Sequence, residues 1–196
     1  MSKFIVFLLL PYLWLHIVIR FLGKNKQLYR LDQQFTYKLR TNPFNSELLQ
    51  FAYYILWLPE YRSIFYKRAG VVGRLMNIYL PGQNCLYIRT AKDNIGGGIC
   101  VSHGHSTEIN AKSIGLNCHI FQNVTIGTRG SSVGPAIGNN VVVGCGAIVL
   151  GDIHIGDNVK IGANTVVVKN VPANCTVVGR GSIIVKMNNE KVEIEL

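Results

Sequence analysis

A six-residue spacing of aliphatic side chains is the feature that most restricts the fold of this chain. The spacing occurs in two runs, which are Ile114, Ile120, Ile126 and then Ile137, Val143, Val149, Ile155, Ile161, Val167. No α-helix has this period, because an α-helix turns every 3.6 residues. A six-residue period is typical of short strands stacked in coils, with a column of Ile and Val side chains filling the interior.

Glycine often follows the leading aliphatic residue of each repeat, as at Gly115, Gly127, Gly138, Gly144, Gly156 and Gly162. Glycine turns the chain at a corner with little steric cost. The sequence therefore predicts a mainly β protein that stacks its coils from residue 93 to residue 180.

Two interruptions break the count. Val101 and Ile114 are 13 residues apart rather than 12, so "SHGHSTEI" holds one extra residue. Ile126 and Ile137 are 11 apart rather than six, so "TRGSSVGP" adds five. Loops that leave a rigid scaffold commonly carry functional residues. These two loops are therefore the predicted functional sites.

The positive charge is confined to the first half of the chain. Residues 1–92 contain 13 Lys or Arg and 3 Asp or Glu, whereas residues 93–196 contain 7 of each, so the whole net charge of +10 lies in residues 1–92. No nucleic-acid-binding motif accompanies it, and no nucleic-acid partner is predicted. An anionic membrane surface or an acidic partner fits this charge better.

The first 40 residues have two interpretations. Residues 4–22 are almost wholly apolar, and residues 24–40 form a basic amphipathic segment. This combination suits interfacial membrane binding, and it equally suits a helical cap packed on the protein or on a neighbouring subunit. Two short helices are expected within 46–69. The predicted division of the chain is a hydrophobic segment, a helical region, a β-helix domain and a tail, at 1–23, 24–92, 93–180 and 181–196.

The five cysteines are scattered and include no C-x-x-C pair. Neither a disulfide framework nor a thiolate metal site is indicated. Reduced cysteines favour a reducing compartment. We therefore expect a cytoplasmic protein, with contact to the inner face of the cytoplasmic membrane as the open question.

The repeats resemble the left-handed parallel β-helix acyltransferases, the hexapeptide-repeat family, and within it the serine acetyltransferase-like branch. The matching segments lie between Asn94 and Gly179 and are "NIGGGICVSHG", "SIGLNCHIFQNVTIG" and "AIGNNVVVGCGAIVLGDIHIGDNVKIGANTVVVKNVPANCTVVG". The N-terminal "PEYRSIFYKRAG" is similar to members found in capsule and exopolysaccharide pathways. The resemblance implies an α-helical N-terminal region, acetyl-CoA as co-substrate, no metal, and a homotrimer with active sites between adjacent subunits.

The resemblance also assigns residues to the acetyl-transfer reaction. His103 matches the general base of the family, and histidine suits that role because its ordinary pKa of about 6.5 leaves it mostly neutral at pH 7. Gly127 and Thr128 match the positions near the thioester, where a backbone N–H stabilises the oxyanion. The remaining expected cofactor contacts are Cys145 and Ala163 along the pantetheine, and Lys169 and Arg180 at the phosphates.

The acceptor side departs from the serine enzymes. Ser102 replaces an aspartate before the base, Ile88 replaces the aspartate that orients it, and "SVGPAI" lacks an Arg-His pair. Glu108 is the nearest carboxylate in sequence and the candidate to orient His103, with Ser102 and His105 as candidate acceptor contacts. The sequence therefore favours a carbohydrate or polysaccharide-precursor hydroxyl as acceptor, with serine O-acetylation as the alternative.

Two other functional classes fit the same scaffold less well. Gamma-class carbonic anhydrases bind zinc through histidines of neighbouring coils, but the count of coils places His119 and His154 on different faces, away from His103 and His105. A non-catalytic binding prism is the second class, and the missing carboxylates keep it open. Acetyl-CoA binding without turnover would identify it.

Overall fold

The structure is a computed structural model that describes residues 3–130, 132–179, 183–187 and 190–195. Helices come first in the chain and strands follow. Within these residues the α-helices are α1 Lys3–Leu9, α2 Trp14–Leu22, α3 Lys26–Leu39, α4 Glu47–Trp57, α5 Pro59–Ala69 and α6 Val71–Tyr79. Across the same residues, no helix combines the length and the hydropathy that crossing a bilayer requires.

The strands are two or three residues long until the C-terminal end. They are β1 Leu86–Ile88, β2 Cys100–Val101, β3 Thr107–Ile109, β4 Ser113–Ile114, β5 His119–Ile120, β6 Thr125–Gly127, β7 Ala136–Ile137, β8 Val142–Val143, β9 Ile148–Leu150, β10 His154–Ile155, β11 Lys160–Ile161, β12 Val166–Val167, β13 Thr176–Val177, β14 Ile183–Met187 and β15 Glu190–Glu195.

These short strands form three parallel sheets, which are the faces of a prism. Face A has the order β1-β3-β6-β9-β12, face B has β10-β7-β4, and face C has β13-β11-β8-β5-β2. The strand register stacks Ile120 beside Val143 and Ile126 beside Val149, and these four side chains are almost completely buried. This confirms the predicted parallel β-helix with an α-helical N-terminal region.

Stacked asparagines build the corner between faces B and C. Asn117, Asn140 and Asn158 all have left-handed backbones, with φ of 56°, 55° and 57°. Asparagine adopts this conformation more readily than most residues. Each side-chain amide donates to the next, at 3.2 Å from Asn117 to Asn140, 3.0 Å from Asn140 to Asn158 and 2.8 Å from Asn158 to Asn174. The ladder satisfies polar groups that would otherwise be exposed at the corner.

A buried ion pair joins the helices to the first coil. Asp32 of α3 accepts two hydrogen bonds from Arg68 of α5, and its Oδ1 also accepts from the N–H groups of Gly98 and Ile99, at 2.9 and 3.1 Å. Arg68 in turn donates to the carbonyl of Gly96 at 2.7 Å. Buried charges require this degree of pairing. The pair therefore fixes α3 against the start of the β-helix.

The structure differs from the sequence expectations in its smaller elements. Strand β1 pairs with β3, so face A begins before residue 93, and β14 and β15 form an antiparallel hairpin within the expected tail. Helix α6 continues beyond the two helices expected within 46–69. Gly70 separates α5 from α6 with a φ of 65°, a conformation that glycine adopts without strain.

Candidate active site

The turn that carries His103 contains one residue more than the equivalent turns of the later coils. Each regular turn between faces C and A has one left-handed residue before the face A strand, such as Asn123, and Ser106 occupies that position here with a φ of 48°. The additional residue is accommodated at His103, whose φ is 62°, and at Gly104, whose φ is 29°. A left-handed histidine is uncommon. The interruption predicted from the spacing therefore exposes an imidazole on a constrained turn.

Gly104 allows this turn to lie close to the neighbouring chain. A Cβ atom at Gly104 would come within 3.2 Å of the Gln83 side chain and 3.3 Å of Leu86. Gln83 also approaches the next histidine, with its Nε2 at 3.0 Å from His105 Nδ1. Gln83 thus supports the turn from the segment that precedes β1.

A polar cluster lies directly behind the turn. The Ser102 hydroxyl is 2.7 Å from Nε2 of His119 on face C, and it accepts a hydrogen bond from Arg40 Nη2 at 3.3 Å. Arg40 also donates to the carboxylate of Glu60 at 2.8 Å. Burial, with a smaller contribution from Arg40, lowers the pKa of His119 to about 4. His119 is therefore neutral at pH 7 and can accept the Ser102 proton.

This cluster was not predicted from the sequence, although Ser102 was a candidate acceptor contact. Ser102 is only 7% exposed, and its hydroxyl is occupied by Arg40 and His119. Arg40 comes from the end of α3 and Glu60 from α5, so no local spacing connects them to the turn. Their separation in sequence, 62 residues between Arg40 and Ser102, explains why pattern analysis missed them.

Glu108 lies on β3, immediately after the turn. Its carboxylate accepts a hydrogen bond from Arg89 Nε at 2.7 Å, and both side chains are substantially exposed. Among the described residues, no hydrogen bond joins Glu108 to His103. The orienting role of Glu108 therefore stays a prediction.

Two of the expected cofactor contacts share a corner with His103. Cys145 follows β8 and Ala163 follows β11, so both lie in the turns between faces C and A, as His103 does. Backbone hydrogen bonds link these turns from coil to coil. They run from Asn123 N to His105 O at 2.9 Å, from Gly146 N to Gln122 O at 3.1 Å, and from Asn164 N to Cys145 O at 2.9 Å. One edge of the prism therefore carries His103, Cys145 and Ala163 in a column.

The other expected contacts lie at the opposite edge of face A. Gly127 ends β6 and Thr128 begins the long loop to β7, whereas the His103 turn precedes β3. Adjacent parallel strands of three residues separate the two edges by about 10 Å. Lys169, which is exposed, follows β12 at the same edge as Thr128. Arg180 lies outside the described residues.

The remaining histidines do not converge with His103. His119 lies on face C and His154 on face B, while His103 and His105 lie in the turn between faces C and A. Over the part of the chain that the structure describes, no group of three or more His, Cys, Asp or Glu side chains could hold a metal ion. This arrangement does not match a histidine zinc site shared between coils.

Comparisons with known proteins agree with the fold. Residues 134–169 match the family model described as bacterial transferase hexapeptide (six repeats). The protein named serine acetyltransferase from Synechococcus elongatus is 45% identical over 103 residues, which cover 50% of this chain and 42% of that protein. Its Staphylococcus aureus namesake is 44% identical over 102 residues and 48% of its own length. The chain thus matches less than half of each of these relatives.

Solved structures resemble a larger part of the chain. The serine acetyltransferase isoform 3 of Entamoeba histolytica, in complex with cysteine, has a TM-score of 0.63 and 29% identity, covering 83% of this chain and 61% of that one. The Neisseria gonorrhoeae serine acetyltransferase, in complex with serine, has a TM-score of 0.60 and 26% identity, covering 81% and 69%. The resemblance to capsule-pathway members receives no support from these relatives. This chain carries a hexapeptide-repeat β-helix of the bacterial transferase type and has serine acetyltransferases as its homologues.

Proposed function

We propose that this chain is an acyltransferase that moves the acetyl group of acetyl-CoA to a hydroxyl group. The observation that carries the proposal is the position of His103, which is exposed in a left-handed turn at the head of the column that continues past Cys145 and Ala163. A base at one end of an extended groove suits a long cofactor whose reactive thioester lies at one end. The homologues named serine acetyltransferase support the same reaction class.

In the proposed reaction, His103 accepts the proton of the acceptor hydroxyl as its oxygen attacks the thioester carbonyl carbon. A backbone N–H near Gly127 and Thr128 stabilises the negative charge on the carbonyl oxygen. Cleavage of the C–S bond then releases the thiolate of coenzyme A, which takes the proton from His103. The transfer is direct, within a ternary complex, and uses no metal.

The two halves of this machinery require a second copy of the chain. One chain places His103 and Gly127 at opposite edges of face A. We infer a homotrimer in which the His103 edge of one prism faces the Gly127 edge of its neighbour. The cofactor then lies between subunits, with Lys169 and Arg180 as the proposed phosphate contacts.

For the acceptor, the homologues favour L-serine, since the similar Neisseria structure contains serine. A carbohydrate hydroxyl is the second candidate, and a specific observation supports it. Ser102 presents a hydroxyl already bonded to Arg40 and His119 where a serine enzyme has an aspartate, so no free carboxylate is available there to bind an amino group. His105 and Ser102 remain the proposed acceptor contacts.

Release of the coenzyme A thiol tests both the reaction and the acceptor. We expect release from acetyl-CoA with a saturating acceptor and none from the His103→Ala variant. Serine-dependent release would establish serine O-acetylation, while release only with sugar acceptors would establish the second candidate. Acetyl-CoA binding without release for either acceptor class would instead identify a binding protein and overturn the proposed activity.

The compartment proposed for this reaction is the cytoplasm, where acetyl-CoA is available. The five cysteines are free thiols in the structure, and Cys100 and Cys118 are buried in the β-helix. Free, buried thiols are usual in a reducing compartment.

A further inference from the structure

The helical region buries polar side chains and exposes apolar ones. In α2, His16 and Arg20 are 0% and 3% exposed, whereas Trp14, Val18 and Leu22 are 64%, 42% and 80% exposed. The exposed residues are four apart and therefore lie on one side of the helix. Helices that face water have the reverse arrangement. The outer side of α2 is thus suited to an apolar environment.

Buried polar partners explain why α2 is held in this orientation. Arg20 Nε donates to Gln33 of α3 at 3.0 Å. The His16 ring lies between two tyrosines, with Nε2 at 3.0 Å from the Tyr66 hydroxyl and Nδ1 at 3.2 Å from that of Tyr79. Turning α2 outward would break these bonds. The exposure of its apolar side is therefore fixed by the interior of the helical region.

Helix α6 extends the same kind of surface. Val71, Leu75 and Ile78 are 63%, 61% and 78% exposed. The two helices meet where Tyr12, just before α2, stacks edge-on against Tyr79 at 5.4 Å and donates to its carbonyl at 3.2 Å. We call Trp14, Val18, Leu22, Val71, Leu75 and Ile78, together with this tyrosine pair, the apolar face. Contiguous apolar patches rimmed by polar residues commonly mark interaction sites.

The charges around the apolar face have one sign. Lys24 and Lys26 are exposed just after Leu22, and Arg74 is exposed beside Leu75. No acidic residue occurs before Asp32, which is buried against Arg68. Apolar side chains interspersed with exposed cations complement a surface of acyl chains and anionic headgroups.

We propose that the apolar face binds an anionic phospholipid surface, with α2 and α6 lying against the headgroups. This inference goes beyond the proposed acetyl transfer and does not depend on it. It differs from membrane binding by the apolar residues 4–22 alone, because α6 and its arginine take part and the buried side of α2 remains attached to the protein.

Co-sedimentation with vesicles tests the proposal on the full chain. We expect the protein to sediment with vesicles of phosphatidylglycerol and phosphatidylcholine in equal amounts, and to bind pure phosphatidylcholine at least tenfold more weakly. Replacing Lys24 and Lys26 with glutamine should lower the apparent affinity about fivefold for each charge, since each cation near such a surface contributes about 1 kcal/mol.

A triple variant, Trp14→Ser, Leu22→Ser and Ile78→Ser, should lose vesicle binding while its circular dichroism spectrum stays unchanged, because these side chains are exposed. The matched control is Leu116→Ser with Val166→Ser, which removes exposed apolar side chains from the β-helix. Equal loss in the control, or no binding to anionic vesicles, would overturn the proposal. So would a concentration-dependent increase in oligomer size that the triple variant abolishes without any vesicle binding, since the apolar face would then join copies of the chain.

Discussion

At the scale of single residues, His103 combines unusual backbone geometry with the proposed chemistry. A non-glycine residue in the left-handed region costs on the order of 1–3 kcal/mol where the side chain disfavours it. The fold imposes this conformation because the turn holds one residue too many for the coil. An exposed imidazole is thereby held in one place, which a general base requires.

Replacing His103 with asparagine separates these two properties. Asparagine adopts left-handed backbones readily but cannot accept the acceptor proton, so we expect kcat to fall by about 10²- to 10⁴-fold with the Kd for acetyl-CoA unchanged. The thermal unfolding midpoint should be unchanged or higher. Ser106→Asn, in the same turn, is the control and should retain activity. An active His103→Asn variant would rule out His103 as the base.

Glu108 tests whether a carboxylate orients the base. We expect Glu108→Gln to lower kcat at an unchanged Kd for acetyl-CoA, because a neutral amide stabilises an imidazolium less well. Stability should hardly change, since the exposed pair with Arg89 is worth about 0–1 kcal/mol. Arg89→Gln is the matched control. Full activity in Glu108→Gln would remove this role.

His16 should make stability depend on pH. Burial, with the Arg62 charge as a second cause, lowers the pKa of His16 in the folded protein from 6.5 to about 4. Between these values the unfolded chain binds a proton that the folded chain does not. The free energy of unfolding should therefore be highest above pH 6.5 and fall by about 1.4 kcal/mol per pH unit as the pH drops towards 4.

Urea unfolding midpoints measured from pH 7.5 to pH 4 test this dependence. A His16→Gln variant should show a shallower decline than the wild type across that range. Parallel curves for the two proteins would show that the protonation of His16 is not coupled to folding.

At the scale of secondary-structure elements, the Asp32–Arg68 pair connects two architectures that could otherwise move independently. Helices α3 and α5 both reach the first coil through it, and the β-helix receives hydrogen bonds at Gly96, Gly98 and Ile99. A buried pair with this many partners contributes mainly to a defined orientation of the elements.

Arg68→Met should destabilise the protein by about 3–5 kcal/mol, because the carboxylate of Asp32 is then left buried and unpaired. Chemical denaturation measures this loss. Arg74→Met, in the exposed part of the next helix, is the control and should change stability by less than about 0.5 kcal/mol. A similar small effect at Arg68 would show that the pair is not required to hold the helices.

At the scale of the whole molecule, the proposed active site spans two subunits, and mixed trimers test this. His103→Ala removes the base at one edge of face A, and Thr128→Pro removes a backbone N–H at the other. Each variant alone should be inactive. Coexpression with different tags should produce mixed trimers in which some interfaces are intact, so activity should return. Inactive mixed trimers would place the whole site within one chain.

The β-helix could be predicted from sequence because its determinants are local. Each aliphatic residue repeats the role of the one six positions earlier, and the miscounted residue at "SHGHSTEI" marked the position of the unusual turn. Contacts among remote residues could not be predicted in this way. The pairing of Asp32 with Arg68 inverts the expected apolar face of α3, and Arg40 reaches Ser102 only after the helices fold onto the prism.

The asparagine ladder has a consequence for how such a chain can change length. Its rungs from Asn140 to Asn158 are 18 residues apart, one complete coil. Removing or adding any smaller number of residues within a coil would rotate every later side chain onto a different face. Insertions and deletions are therefore tolerated in only two forms: as whole coils, or as loops confined to a corner, as residues 128–135 already are. The prism thus has a phase, and its corners are the places where additional sequence leaves that phase intact.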